Sequence, residues 1–135
     1  MVATHHADNS VNGPDNRICQ DELLTLWLTG YGHIPNLPSD GAATGAAIST
    51  PVLSVIIING GSIDDSKILY SGVPQEFPGL RQLNIRIPKT GESGAPPPGT
   101  NISIEVPSNV GGTQQIGADR FLTIPNGLIT TIAVK

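Results

Sequence analysis

Charge is scarce in this sequence: charged residues make up 13% of the chain, and its seven Lys and Arg are scattered along it. A nucleic-acid partner needs a basic stripe to neutralise phosphates, and an anionic membrane needs a comparable cluster. With a net charge of −4 and no such stripe, neither partner is expected. Cysteine occurs once, at Cys19, which excludes an internal disulfide and a multi-cysteine zinc site. Cys19 is read as a small buried hydrophobe near a strand start rather than a reactive thiol. An intermolecular disulfide stays open if the protein is secreted. No apolar run approaches the roughly 18 residues of a membrane span, so no membrane insertion is expected. The opening MVATHHAD has no basic n-region and no apolar h-region, so no signal peptide is expected in the given chain. The chain is then cytoplasmic, or a mature or excised piece of an exported protein. Aromatic residues amount to 4%.

What the sequence does hold is turn-formers and β-branched residues. Sixteen glycines and twelve prolines in 135 residues point to an all-β domain with many loops. A chain of this length fits one domain, residues 1–135, and buries roughly two thirds of its unfolded surface. The organising stretch is Val52 to Pro88. Val52–Ile58 is almost wholly apolar and β-branched at five positions, which suits a buried pleated surface. Asn59-Gly60-Gly61 follows as a turn in which Asn and Gly take positive φ at little cost. Lys67–Tyr70 is a second run. Leu83, Ile85 and Ile87 alternate with Gln82, Asn84 and Arg86, a period of two with one buried face. Pro88 ends the run, because it has no N–H to give to a ladder.

Elsewhere, Met1–Ala7 reads as a short edge strand inside a turn-rich arm of residues 1–20. Asp21–Tyr31 reads as a strand with Leu24, Leu26 and Leu28 on one face and Leu23, Thr25, Trp27 and Thr29 on the other. A helix competes there, but the run is short and Gly30 and Gly32 close it. Residues 32–51 and 89–100 are long loops, of the kind that in compact domains tend to carry function or interfaces. Pro96-Pro97-Pro98 favours an extended polyproline path, read as a stiff loop before a ligand for an aromatic groove. Ile102–Val106, Phe121–Ile124 and Leu128–Val134 supply further strands. The spacing predicts an antiparallel β-sandwich of about seven to nine strands, without internal repeats. Its expected core is Leu24, Leu26, Leu28, Val55, Ile57, Leu69, Leu83, Ile85, Ile87, Ile102, Ile104, Ile132 and Val134.

An ordered set of motifs adds to this. Thr29-Gly30-Tyr31-Gly32, Gly60-Gly61, Leu69-Tyr70-Ser71-Gly72, Pro78-Gly79-Leu80-Arg81-Gln82-Leu83-Asn84-Ile85-Arg86-Ile87-Pro88 and Thr131-Ile132-Ala133-Val134 occur in that order. Together with ADNSVNGPDN before the first strong strand, they cover roughly Ala7 to Lys135. The set resembles the Solibacter-type C-terminal domain of exported acidobacterial proteins, whose members look immunoglobulin-like, of the IPT/TIG kind. Lys89–Thr100 and Pro107–Asn126 run longer than in that family. The resemblance implies an exported, modular, non-enzymatic role, usually at the end of a larger polypeptide. It brings no catalytic residues and no cofactor.

His5, His6 and His33 with Asp8 are metal-ligand types, but adjacent strand residues point to opposite faces, and solvent-exposed histidines are the simpler reading. Asp64-Asp65 with Ser62 and Ser66 supplies too few oxygens for a hard cation and reads as a solvated acidic turn. His33, Ser39 and Asp40 lack the framing of a nucleophilic triad. Asp21, Glu22, Glu76 and Glu105 show no pocket signature for paired carboxylates. Asn101-Ile102-Ser103 fits a glycosylation sequon, which means little in a bacterial source. No catalytic, cofactor or metal residue is therefore assigned. Trp27, Tyr31, Tyr70 and Phe77 are read as core before sugar-stacking surface. If exposed, they form with Pro96, Pro97 and Pro98 the candidate interaction surface. The functional expectation is an extracellular or cell-surface structural or adhesive module whose partners are neighbouring domains or copies of itself. A self-assembling filament or capsid subunit held by edge strands is the alternative, and a module binding a surface glycan comes second. An enzyme is the least favoured reading.

Overall fold

The computed structural model describes residues 3–29, 37–39, 42, 44–50, 56–99, 101–106 and 128–134. These residues are all-β, with strands β1 (Ala3–His6), β2 (Leu23–Leu28), β3 (Ile48–Ser49), β4 (Ile57–Ile58), β5 (Gly61–Ser62), β6 (Ile68–Val73), β7 (Arg81–Arg86), β8 (Asn101–Val106) and β9 (Leu128–Ala133). The one described helical turn is a 3-10 turn at Asp65–Lys67, capped by the Asp64 side chain, which accepts from Ser66 N. Among the described residues no helix is long and apolar enough to cross a membrane. The strands form two antiparallel sheets, ordered β1-β2-β7-β6-β3 and β5-β4-β8-β9.

The alternation in β2 and β7 decides what lies inside. Leu24 pairs with Ile85 and Leu26 with Leu83, and all four are fully buried. They join Ile18, Leu28, Ile56, Ile58, Ile63, Ile87, Ile104, Ile132 and Val134 in one cluster fed by both sheets. The β2–β7 ladder runs on past the strand ends, with Asp21 N donating to Ile87 O and Ile87 N to Glu22 O. Pro88 then stops it, since its nitrogen carries no hydrogen.

The core differs from the sequence expectation at five places, namely the 56–58 run, Leu69, Ile18, Ile63 and Val73. Ile56 and Ile58 are buried, while Ile57 is only half-buried and Val55 lies outside the described residues. A run apolar at every position has no alternation to fix its facing. The turn fixes it instead: Asn59 (φ 49) and Gly60 (φ 77) both adopt positive φ, so Ile58 pairs with Gly61 and, on the other side, with Ile104. Leu69 is 50% exposed, because the β6–β7 register slips there. Ile68 pairs with Ile85 and Tyr70 with Asn84, which leaves Leu69 as the extra residue of a bulge, outside the ladder. Ile18, Ile63 and Val73 are buried without having been expected. Ile18 comes from the arm, where it bridges in parallel to Val134. The side chain of Ile102 lies outside the described residues, as does the expected strand Phe121–Ile124.

The arm and the 89–99 loop are tied down by polar contacts. Gln20 donates from Nε2 to Pro96 O at 2.9 Å and accepts from Thr90 N at 2.9 Å. Arg17 reaches Gly99 O and Val134 O. Lys67 pairs with Glu92 at 2.6 Å and Lys89 with Asp21 at 3.1 Å. The expected 32–51 loop contains the two-residue strand β3.

Candidate functional site

The face of the five-stranded sheet turned away from the buried cluster carries the candidate site. Its makeup follows from register. Thr25, Asn84 and Tyr70 lie in one cross-strand row, and Trp27, Gln82 and Gly72 in the next. Residues in a row share a face, so three of the four aromatic candidates fall close together once Phe77, from the β6–β7 connection, is added. Trp27 and Phe77 meet edge to face, with centroids 5.8 Å apart and planes at 85°, an arrangement that the ring quadrupoles favour. Phe77 is 50% exposed and Trp27 half-buried. Neither they nor Tyr70 belongs to the buried cluster, which corrects the reading of these rings as core. Tyr31 lies outside the described residues.

Tyr70 is placed by a glycine. Its hydroxyl donates to Val73 O at 3.2 Å, which lays the ring along β6 over Gly72. A Cβ at Gly72 would meet the Tyr70 hydroxyl at 2.6 Å and would run into the Ile48 carbonyl. Partial burial raises the Tyr70 hydroxyl above its ordinary pKa, so the group stays protonated and able to donate.

Between the rings lies an amide network. Asn84 Oδ1 accepts from Thr25 Oγ1 at 3.1 Å and from Gln82 Nε2 at 3.0 Å. Both lone pairs of that oxygen are therefore engaged, which orients the amide. Asn84 Nδ2 and Gln82 Oε1 make no hydrogen bond to another described residue. Arg86 shares this face through its pairing with Leu23, and its Nη1 donates to Asp21 O at 2.7 Å. The Asp21 carboxylate lies 3.8 Å from the same guanidinium.

The other candidates are placed elsewhere. Pro96 is buried and bonded to Gln20, while Pro97 and Pro98 are exposed; the described contacts of Pro96 lead to the arm and not to the rings. His6 Nε2 lies 3.2 Å from Asn12 Nδ2, beside an open hollow of about 220 Å³ lined by His6, Ala7, Asp8, Glu22 and Leu23. Bonds from the Ser10 hydroxyl and N–H hold Asp8 below its ordinary pKa, and Glu22 accepts from Cys19 N at 2.8 Å. Asp64 is lowered by its bonds from Ser66. It borders a second open hollow, of about 430 Å³, with Ser62, Ile63, Asp65 and Ser93. Lys89, then Arg86, lowers Asp21, and Lys67 lowers Glu92. Glu76 and Ser39 are exposed. No group of three or more His, Cys, Asp or Glu among the described residues is arranged to hold a metal. His33 and Asp40, and the side chain of Glu105, lie outside the described residues.

Comparison of the chain with protein-family models, with curated proteins and with solved structures finds no match in any of the three.

Proposed function

We propose that the chain is an immunoglobulin-like β-sandwich that works, without catalysis, as a structural or adhesive module at a cell surface or in the extracellular space. The observation that carries this reading is the outward face of the five-stranded sheet, where aromatic rings and oriented amides are held outside the core. Rings placed there contribute little to the folded cluster and suit contact with a partner. The titratable groups support the same reading: Asp8, Asp21, Glu22, Asp64 and Glu92 each make a local tie to a neighbouring side chain or backbone N–H. The two sheets sharing one cluster support the sandwich, and the ordered motifs resembling the Solibacter-type domain support an exported role. Fractionation of the source cells, followed by detection with antibody raised against the purified chain, tests the location. The protein should appear in the surface or secreted fraction; recovery only from the cytoplasm overturns the proposal.

One observation favours a second reading, self-assembly. β9 is six residues long and stands at the end of its sheet, with β8 as its strand neighbour among the described residues. A sheet edge of that length can accept a strand from another copy. Light scattering at high concentration separates the readings, and a strict monomer disposes of assembly.

A further inference from the structure

We propose that the outward face of the five-stranded sheet binds a neutral glycan chain, laid across β6, β7 and β2 over Tyr70, Gln82, Asn84 and Trp27. This rests on the reading of the chain as a surface module and names its partner.

The argument starts from what a neutral sugar offers: apolar C–H faces that stack on rings, and hydroxyls that donate and accept at once. The face supplies a counterpart to each. Tyr70 is held over Gly72 by its bond to Val73 O, and Trp27 packs against Phe77 with the two ring planes at 85°. Gly72 and Trp27 flank Gln82 on either side, two strand spacings or about 10 Å apart, which leaves room for more than one sugar unit. Between them, Asn84 Oδ1 is engaged twice within the sheet, which leaves its two N–H groups for a ligand. Gln82 keeps its carbonyl oxygen and one N–H for a ligand. Oriented donors and acceptors beside apolar ring surface are what a small-ligand site requires, and they are held by the fold before the ligand arrives, which lowers the ordering cost of binding.

Charge narrows the ligand class. The register places Arg86 on the face, where it is bonded to the Asp21 backbone with the Asp21 carboxylate 3.8 Å away. An anionic polysaccharide would find a cation that already has a carboxylate beside it, and a cationic one a carboxylate already paired with Lys89 and Arg86. A neutral polyol fits both facts.

The chain contains a single tryptophan, and it lies in this face, so binding can be read from intrinsic fluorescence without a label. The purified full chain is titrated with cellohexaose, xylohexaose, mannohexaose and chitohexaose. At least one should give a saturable change in Trp27 emission. Gln82→Ala with Asn84→Ala, folded by circular dichroism, should weaken that binding by about tenfold or more. Phe77→Ala, at an exposed ring, should weaken it in the same direction, and Val11→Ser, 62% exposed in the arm, should leave it unchanged. No response to any of the four, or binding that survives the amide substitutions, overturns the proposal. Concentration-dependent self-association abolished by the same substitutions also overturns it, because the occupant is then a second copy. Each of these results is independent of the fractionation result, so the glycan can fail while the surface module stands.

Discussion

Ile85 and Leu69 both read as core in the sequence but differ sharply in burial. Ile85 is fully enclosed and Leu69 is 50% exposed. Ile85→Ala should therefore cost about 2–5 kcal/mol, the transfer term plus the cavity it leaves. Leu69→Ala should stay within about 0.5 kcal/mol, as for other surface positions. Urea unfolding of the two variants checks both, and equal losses would mean that the bulge does not exist in solution. At this scale the sequence is legible wherever polar residues interrupt apolar ones. Leu24, Leu26, Leu83 and Ile85 were recognisable as core because Thr25, Trp27, Gln82 and Asn84 separate them. Ile56 and Ile58 were not, because no polar residue interrupts the run that contains them. Ile18 was invisible, because its burial depends on a bridge to Val134, 116 positions further on.

Among the elements, β6 shows most clearly how one backbone irregularity arranges a surface. The bulge at Leu69 brings Tyr70 into the Asn84 row, and the absent Cβ at Gly72 lets the ring lie down along the strand. Gly72→Ala should destabilise the fold by about 1–3 kcal/mol, since the new methyl group meets the Ile48 carbonyl and the Tyr70 hydroxyl. The loss is read from the denaturation midpoint, and a neutral result would show that the ring is not seated there. The residues of the candidate site could be named from the sequence, but their grouping could not. Trp27, Tyr70 and Phe77 come together through a register slip and a hairpin connection that spacing alone does not reveal. The proline run, which composition made conspicuous, is instead joined to the arm through Gln20.

At the scale of the whole molecule, carboxylates paired at the surface link folding to pH. Lys67 holds Glu92, and Lys89 holds Asp21, below their ordinary pKa values. A carboxylate whose pKa is depressed in the folded state stabilises the fold above its unfolded value, and that contribution disappears as pH falls through the folded value. The unfolding midpoint should therefore drop on acidification below the ordinary carboxylate range. Glu92→Gln should lower the midpoint at neutral pH and flatten part of the acid decline. A variant whose pH profile overlays that of the parent would show that the Lys67 pair contributes nothing, as is common for exposed ion pairs.

The bridge between Ile18 and Val134 has a mechanical meaning. The two segments run in the same direction, so drawing the arm one way and the last strand the other slides them past each other. Gly99 N and Arg17 both grip the Val134 carbonyl. A pull on the arm is therefore carried into the last strand through the Arg17 contact and the two buried aliphatic side chains at the bridge.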